Sequence, residues 1–144
     1  MLILAGSETT ASTLTTAILL LGLHPEVFQK MKMEQHALAA KDAGELSLRQ
    51  LDNECPYLDA VIKEVMRIKP IAGGGAMRSV KETLVVDGFQ VPKGCNVGFN
   101  IQLTHKYDPV TFLPDGFHMD VVKGFNPERW LNMSTRPSEF MPFG

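Results

Sequence analysis

Cysteine is scarce in this chain of 144 residues, which has two. Cys55 and Cys95 lie far apart, with no neighbour at metal-ligand spacing. That excludes a disulfide framework and a zinc motif, and reduced thiols in a reducing compartment are the expectation. Basic runs are absent and the net charge is −2, so the electrostatic footprint of nucleic-acid binding is missing. No Gly-x-Gly-x-x-Gly opens a helix, and Gly73-Gly74-Gly75 lacks the following Gly-Lys-Ser/Thr of a phosphate loop. His24, His36, His105 and His118 show no ligand spacing, so each is expected to be structural or on the surface. No Ser/His/Asp set is legible from spacing. The apolar N-terminal stretch has no basic region before it, so it does not read as a secretory signal.

Charge is scarcest from Met1 to Leu23, where Glu8 is the single ionisable side chain. The stretch is long enough to raise a membrane span. Against that stand seven hydroxyl residues (Ser7, Thr9, Thr10, Ser12, Thr13, Thr15 and Thr16). Glu8 itself would cost roughly 2.5–3.5 kcal/mol on insertion. A buried core helix is the better reading. A carboxylate in such a helix costs several kcal/mol unless it is hydrogen-bonded, paired or protonated. Glu8 with Thr9 is therefore the first candidate for chemistry, and a satisfied core carboxylate is the plain alternative.

The remaining elements follow from period and punctuation. Pro25 suits a first helical position, and an apolar stripe from Val27 runs to about Ala40. Lys41 to Gly44 reads as a loop, and Ser47 can cap a short helix through Leu51. Pro56 opens another helix, with Leu58, Val61, Ile62 and Val65 on one stripe, and Pro70 ends it. Thr83–Val86 and Phe89–Val91 around Asp87-Gly88 predict a hairpin. Pro92-Lys93-Gly94 is a second turn, and Cys95 to Ile101 reads as another strand. From Asp108 the pattern is irregular, with Phe112, Phe117, Phe125 and Trp130 arguing for packing.

Helices, then a small antiparallel sheet, then coil predict a mainly α fold of the α+β class. The size is that of one domain. The helical pattern starts at the first residue without a cap, and Phe140-Met141-Pro142-Phe143-Gly144 stops on an apolar, turn-forming run. Residues 1–144 are therefore expected to be part of a single domain, incomplete at both ends.

Glu64 and Arg67 stand at i, i+3 and fall away from the apolar stripe of their helix. Taken alone they are a solvated ion pair worth under about 1 kcal/mol. The order of motifs along the chain says more. Ala5-Gly6-Ser7-Glu8-Thr9-Thr10 resembles the oxygen-activating segment of cytochromes P450, and Glu64-Val65-Met66-Arg67 matches their Glu-x-x-Arg. Phe125-Asn126-Pro127-Glu128-Arg129-Trp130 matches their Pro-Glu-Arg element, and Phe140 to Gly144 is similar to the start of their haem-binding loop. Each motif is weak alone, but the four occur in the family's order over essentially the whole chain.

The resemblance implies a partial cytochrome P450 fold and, in the intact protein, a haem-thiolate monooxygenase. It implies electrons from NADPH through a reductase or ferredoxin, a small apolar substrate and no nucleic acid. It implies catalytic roles for Glu8, as a proton feed, and for Thr9, as a hydrogen-bond partner of the reacting oxygen or its water. Ala5 and Gly6 would let oxygen and haem approach the helix backbone. Arg78 would hold a haem propionate, and Phe143 would touch the cofactor. Ile71, Ala72, Gly73, Gly74 and Gly75 would line the substrate, the glycines leaving unusual room or mobility. Glu64, Arg67 and Arg129 would form a buried ion-pair network, replacing the surface reading. No residue of this chain would ligate the metal, since the family's axial cysteine lies roughly six residues past the position of Gly144, in the loop that binds haem.

Tyr57 to Val65 and Asp87 to Gly94 are most similar to the retinoic-acid-hydroxylase branch, which implies retinoids, carotenoid fragments or sterols. The endoplasmic-reticulum membrane, cytosolic face, is the expected location, with any anchor outside these residues. These residues alone are expected to be inactive and poorly folded without haem. The competing class is a non-catalytic helical interaction module or degenerate relative.

Overall fold

A computed structural model describes residues 2–41, 47–107, 119–131 and 140–143. Three helices, α1 (Leu2–Leu23), α2 (Pro25–Ala39) and α4 (Pro56–Ile68), carry most of the packing, with the short α3 (Leu48–Asn53) between α2 and α4. Strands β1 (Arg78–Ser79), β2 (Leu84–Val86), β3 (Phe89–Val91) and β4 (Asn96–Val97) follow, then α5 (Ile101–Tyr107) and α6 (Glu128–Leu131). The mainly helical fold with small antiparallel pairing is thus present, the strands forming two two-stranded sheets, β1 with β4 and β2 with β3.

The helix starts are chemically distinct. Pro25 and Pro56 begin α2 and α4, where a missing N–H costs nothing. Ser47 and Gln50 form a reciprocal capping box at α3, which runs to Asn53, two residues past the predicted end. At α4 the cap position is Cys55, which provides no side-chain bond. The acceptor comes instead from α2: Glu34 receives the amides of Tyr57 at 2.7 Å and Leu58 at 3.0 Å. A carboxylate on those unpaired N–H groups also complements the positive end of the helix.

The Asp87-Gly88 hairpin forms as predicted, pairing Leu84 with Val91 and Val86 with Phe89. Both turn residues take positive φ, 48° at Asp87 and 82° at Gly88, as a tight primed turn requires. β1 pairs with β4, Arg78 opposite Val97. The predicted strand from Cys95 to Ile101 is corrected: it ends at Val97, apart from one bridge of Asn100 to Gly74. Asn100 Oδ1 accepts the Leu103 amide at 2.9 Å, so Asn100 starts a helix.

The core has two parts. Leu20, Val27, Tyr57, Val61, Val65, Ile68 and Phe125 join α1, α2 and α4 to the segment before α6. Ala60, Trp130 and Phe140 form a second cluster beside it, with Met66 against it. Glu128 of α6 anchors the first part, taking the Tyr57 hydroxyl at 3.1 Å and the Lys30 ammonium. The loop after Lys41 and the aromatics Phe112 and Phe117 lie outside the described residues, as does His118.

Candidate active site

α4 organises the site because it is buried on more than its apolar stripe. Glu64 and Arg67 are each 0% exposed, which corrects the surface reading and agrees with the network expected from the resemblance. Arg67 lies side-on to the carboxylate, Nε to Oε2 and Nη2 to Oε1, both at 2.9 Å. Arg129 Nε reaches Oε1 at 3.0 Å. The Asn126 amide adds 2.9 Å to Oε1, and Trp130 Nε1 adds 2.8 Å to Oε2. Gly124 O then accepts from Nη2 of both arginines, at 3.0 Å and 3.1 Å. One carboxylate and one carbonyl thus share two guanidiniums, and the charge-assisted bonds offset desolvation. The Trp130, Asn126 and Gly124 contacts were not legible, because backbone groups and ring nitrogens carry no spacing signature.

The next turn of α4 faces a cavity of about 480 Å³. Thr9, Thr10, Thr13, Leu14 and Ala17 of α1 form one wall, and Ile62, Val65 and Met66 of α4 form another. Ile71, Ala72 and Phe143 complete it. Ile62 belongs to the predicted apolar stripe, yet it is exposed because this cavity is what it borders. Four candidates from distant parts of the sequence, Thr9, Ile71, Ala72 and Phe143, therefore meet at one apolar space that Thr10 and Thr13 also line. Thr9 Oγ1 donates to Gly6 O at 3.3 Å, a long bond.

Glu8 is placed differently from the reading of its helix. It is exposed on α1 and does not border the cavity, so it carries no desolvation cost in this chain. Ala5 lies in the first turns of α1, its side chain outside the description. Gly6 has open space around it, since an added Cβ would meet nothing within 4 Å. Arg78 borders a second cleft of about 310 Å³ with Ala76, Val97, Gly98 and Phe99.

The glycine run is only partly the open feature expected. Gly73 is unencumbered, but Gly74 is bridged to Asn100, and the Gly75 amide donates to Phe99 O at 2.8 Å. A Cβ on Gly75 would fall 2.2 Å from Phe99 Cζ. The space that glycine leaves is filled by the Phe99 ring, a residue the sequence did not flag.

Of the two free thiols, Cys55 is buried and Cys95 exposed. Burial, with Glu34 and Glu54 nearby, pushes the Cys55 thiol up, so it is a poor nucleophile. No cluster of potential metal ligands occurs among the described residues. Nor is any single helix among them long and apolar enough to cross a membrane.

The cytochrome P450 family model matches residues 1–144. The chain belongs to the cytochrome P450 family. It is 38% identical over 154 residues to cytochrome P450 26B1 of Mus musculus, covering 99% of this chain and 28% of that protein. It is 37% identical over 150 residues to cytochrome P450 26A1 of Gallus gallus, again covering 99% and 28%. Among solved structures it is similar to a retinoic acid-bound cyanobacterial CYP120A1. That match has a TM-score of 0.80 at 35% identity, covering 99% of this chain and 31% of that one. A zebrafish cytochrome P450 determined with abiraterone superimposes with a TM-score of 0.74 at 34% identity, covering 97% and 31%. The chain thus spans a little under a third of the length of these relatives. The P450 cofactor is haem, reduced through a redox partner, and this family's chemistry is monooxygenation.

Proposed function

We propose that this chain forms one wall of the catalytic domain of a haem-thiolate monooxygenase that inserts one atom of dioxygen into a small apolar substrate of retinoid, carotenoid-derived or sterol-like shape. The observation that carries the reading is the apolar cavity where Thr9, Ile71, Ala72 and Phe143 converge beside the Glu64 network. The similarity to a retinoic acid-bound relative supports the retinoid class. Electrons would come from NADPH through a reductase or ferredoxin, and the endoplasmic-reticulum membrane is the proposed location.

The residues present suit haem on two counts. The cavity offers apolar walls for the porphyrin, and Gly6 leaves room for a flat ring or oxygen to approach α1. Arg78 is exposed, as a residue meeting a propionate must be before the cofactor binds. Neither Cys55 nor Cys95 borders the cavity, so neither would supply the thiolate to a haem held there. Bound haem supplies the iron at which dioxygen is activated.

The chain's own residues bind, exclude water and move protons. Ile62, Val65, Ile71 and Ala72 keep the substrate side dry, which strengthens each polar contact there. The Thr9 hydroxyl can turn from the long bond to Gly6 O and donate into the cavity. Glu8, next in sequence and open to solvent, can recharge it through water. Its exposure suits a proton feed better than a buried carboxylate would. Phe143 lines the same cavity as the threonines of α1.

The test is Thr9→Ala in the haem-loaded full-length protein. Product formed per oxygen consumed is expected to fall, with peroxide or water appearing instead. Unchanged coupling would remove Thr9 from proton delivery.

A further inference from the structure

His105 lies on α5 and is 1% exposed. Its Nδ1 is 3.1 Å from the carbonyl oxygen of Arg67, in the last turn of α4. Its Nε2 is 3.1 Å from the Met141 amide nitrogen, which donates to it. An amide can only donate, so Nε2 must offer a lone pair; a carbonyl can only accept, so Nδ1 must carry the hydrogen. The partners therefore select the neutral Nδ1–H imidazole. Free imidazole side chains favour the hydrogen on Nε2, so the choice is imposed by the fold. The ring also lies against Phe140 at 5.4 Å between centroids. Phe140 in turn packs on Trp130 at 4.6 Å, and Trp130 donates to Glu64.

These contacts place one side chain between the ion network and the chain that leads to the cavity. Met141 is two residues before Phe143, which forms a wall of the space that Thr9 borders. We propose that His105 is a positioning residue, held as the Nδ1–H tautomer, that fixes the Met141 amide to the end of α4 and so sets where Phe143 meets the cofactor cavity. What occupies that cavity rests on the haem reading above; the positioning is a property of the chain itself.

The test uses the full-length protein carrying this chain. Nitrogen NMR of labelled histidine in the unmutated protein is expected to show His105 with Nδ1 protonated and Nε2 not. A protonated Nε2 overturns the proposal, whatever the variants do. Two substitutions split the contacts. In His105→Gln the amide oxygen falls near the Nε2 position and can still accept from Met141. In His105→Asn the amide nitrogen falls near Nδ1 and keeps only the bond to Arg67.

Hydrogen exchange at Met141 is expected to stay slow in the glutamine variant. It should rise about tenfold or more in the asparagine variant, as loss of one buried acceptor implies. Transfer of haem to a scavenging apoprotein should quicken in the asparagine variant alone. Equal exchange in both variants, or rapid exchange in a folded glutamine variant, overturns the positioning role. Failure of the haem reading would look different: the unmutated protein would take up no haem while Met141 stayed protected.

Discussion

Glu64 shows how much a single position can be asked to hold. Its carboxylate receives five donors, two from Arg67 and one each from Asn126, Arg129 and Trp130. Glu64→Gln leaves two buried guanidiniums without their anion, and its amide would turn donors toward donors. A loss of about 3–5 kcal/mol is expected, read by urea denaturation of the full-length protein. A loss under about 1 kcal/mol, the worth of an exposed pair, would show the network to be solvated. Glu128 is a milder case at the same scale. Partial burial pushes its carboxyl up, but hydrogen bonds from Lys30, its own amide and Tyr57, with the Lys30 charge, outweigh this and hold it below the usual range. Because the folded value is depressed, its contribution is present above the unfolded pKa and lost as pH falls through the folded one. Lys30→Met should therefore move acid unfolding, followed by circular dichroism, to slightly higher pH. No movement would mean the exposed Lys30 contributes nothing measurable.

At the level of elements, α4 depends on a neighbour to begin. Cys55 cannot cap it, and Glu34 of α2 takes the Tyr57 and Leu58 amides. Glu34→Ala should cost about 1–2 kcal/mol, the usual worth of a helix cap with a favourable charge, measured as a shift in denaturation midpoint. An unchanged midpoint would mean water caps α4 equally well. The same interplay decides the Gly73–Gly75 segment. Three glycines read as slack, yet Gly75 accommodates the Phe99 ring and Gly74 bridges Asn100. Asn100 had a readable signal for α5, since it precedes an apolar residue as N-caps do. The β-rich run from Cys95 masked it.

For the molecule as a whole, the apolar side chains that α1 leaves uncovered among the described residues are the telling surface. Leu14, Ile18, Leu19 and Leu23 are each more than half exposed. So are Val85, Val86 and Phe89 on the hairpin. That much apolar area on a small chain is an interaction surface or an aggregation liability. The 144 residues expressed alone should bind an apolar dye such as ANS strongly and melt without a sharp transition. Weak dye binding with a cooperative, two-state melt would show that these faces need no cover.

The sequence alone determined what depends on a few neighbouring residues. Pro25, Pro56 and Pro70 bound two helices, Ser47 with Gln50 starts a third, and Asp87-Gly88 closes the hairpin. The order of four motifs was enough to place the chain in its family and to mark Thr9, Arg129 and Phe143 as candidates. Tertiary structure decided the burial and protonation of polar groups. Glu64 and Arg129 are 65 residues apart, and a helical wheel shows only which groups share a face, not what covers it. Glu8 looked desolvated because its sequence neighbours are apolar, but among the described residues it is exposed to water. His105 looked like an ordinary histidine until Arg67 and Met141 were brought to its two nitrogens. Period and turn chemistry act within a few residues. The cost of a buried charge or hydrogen is set by partners that only the folded chain brings together.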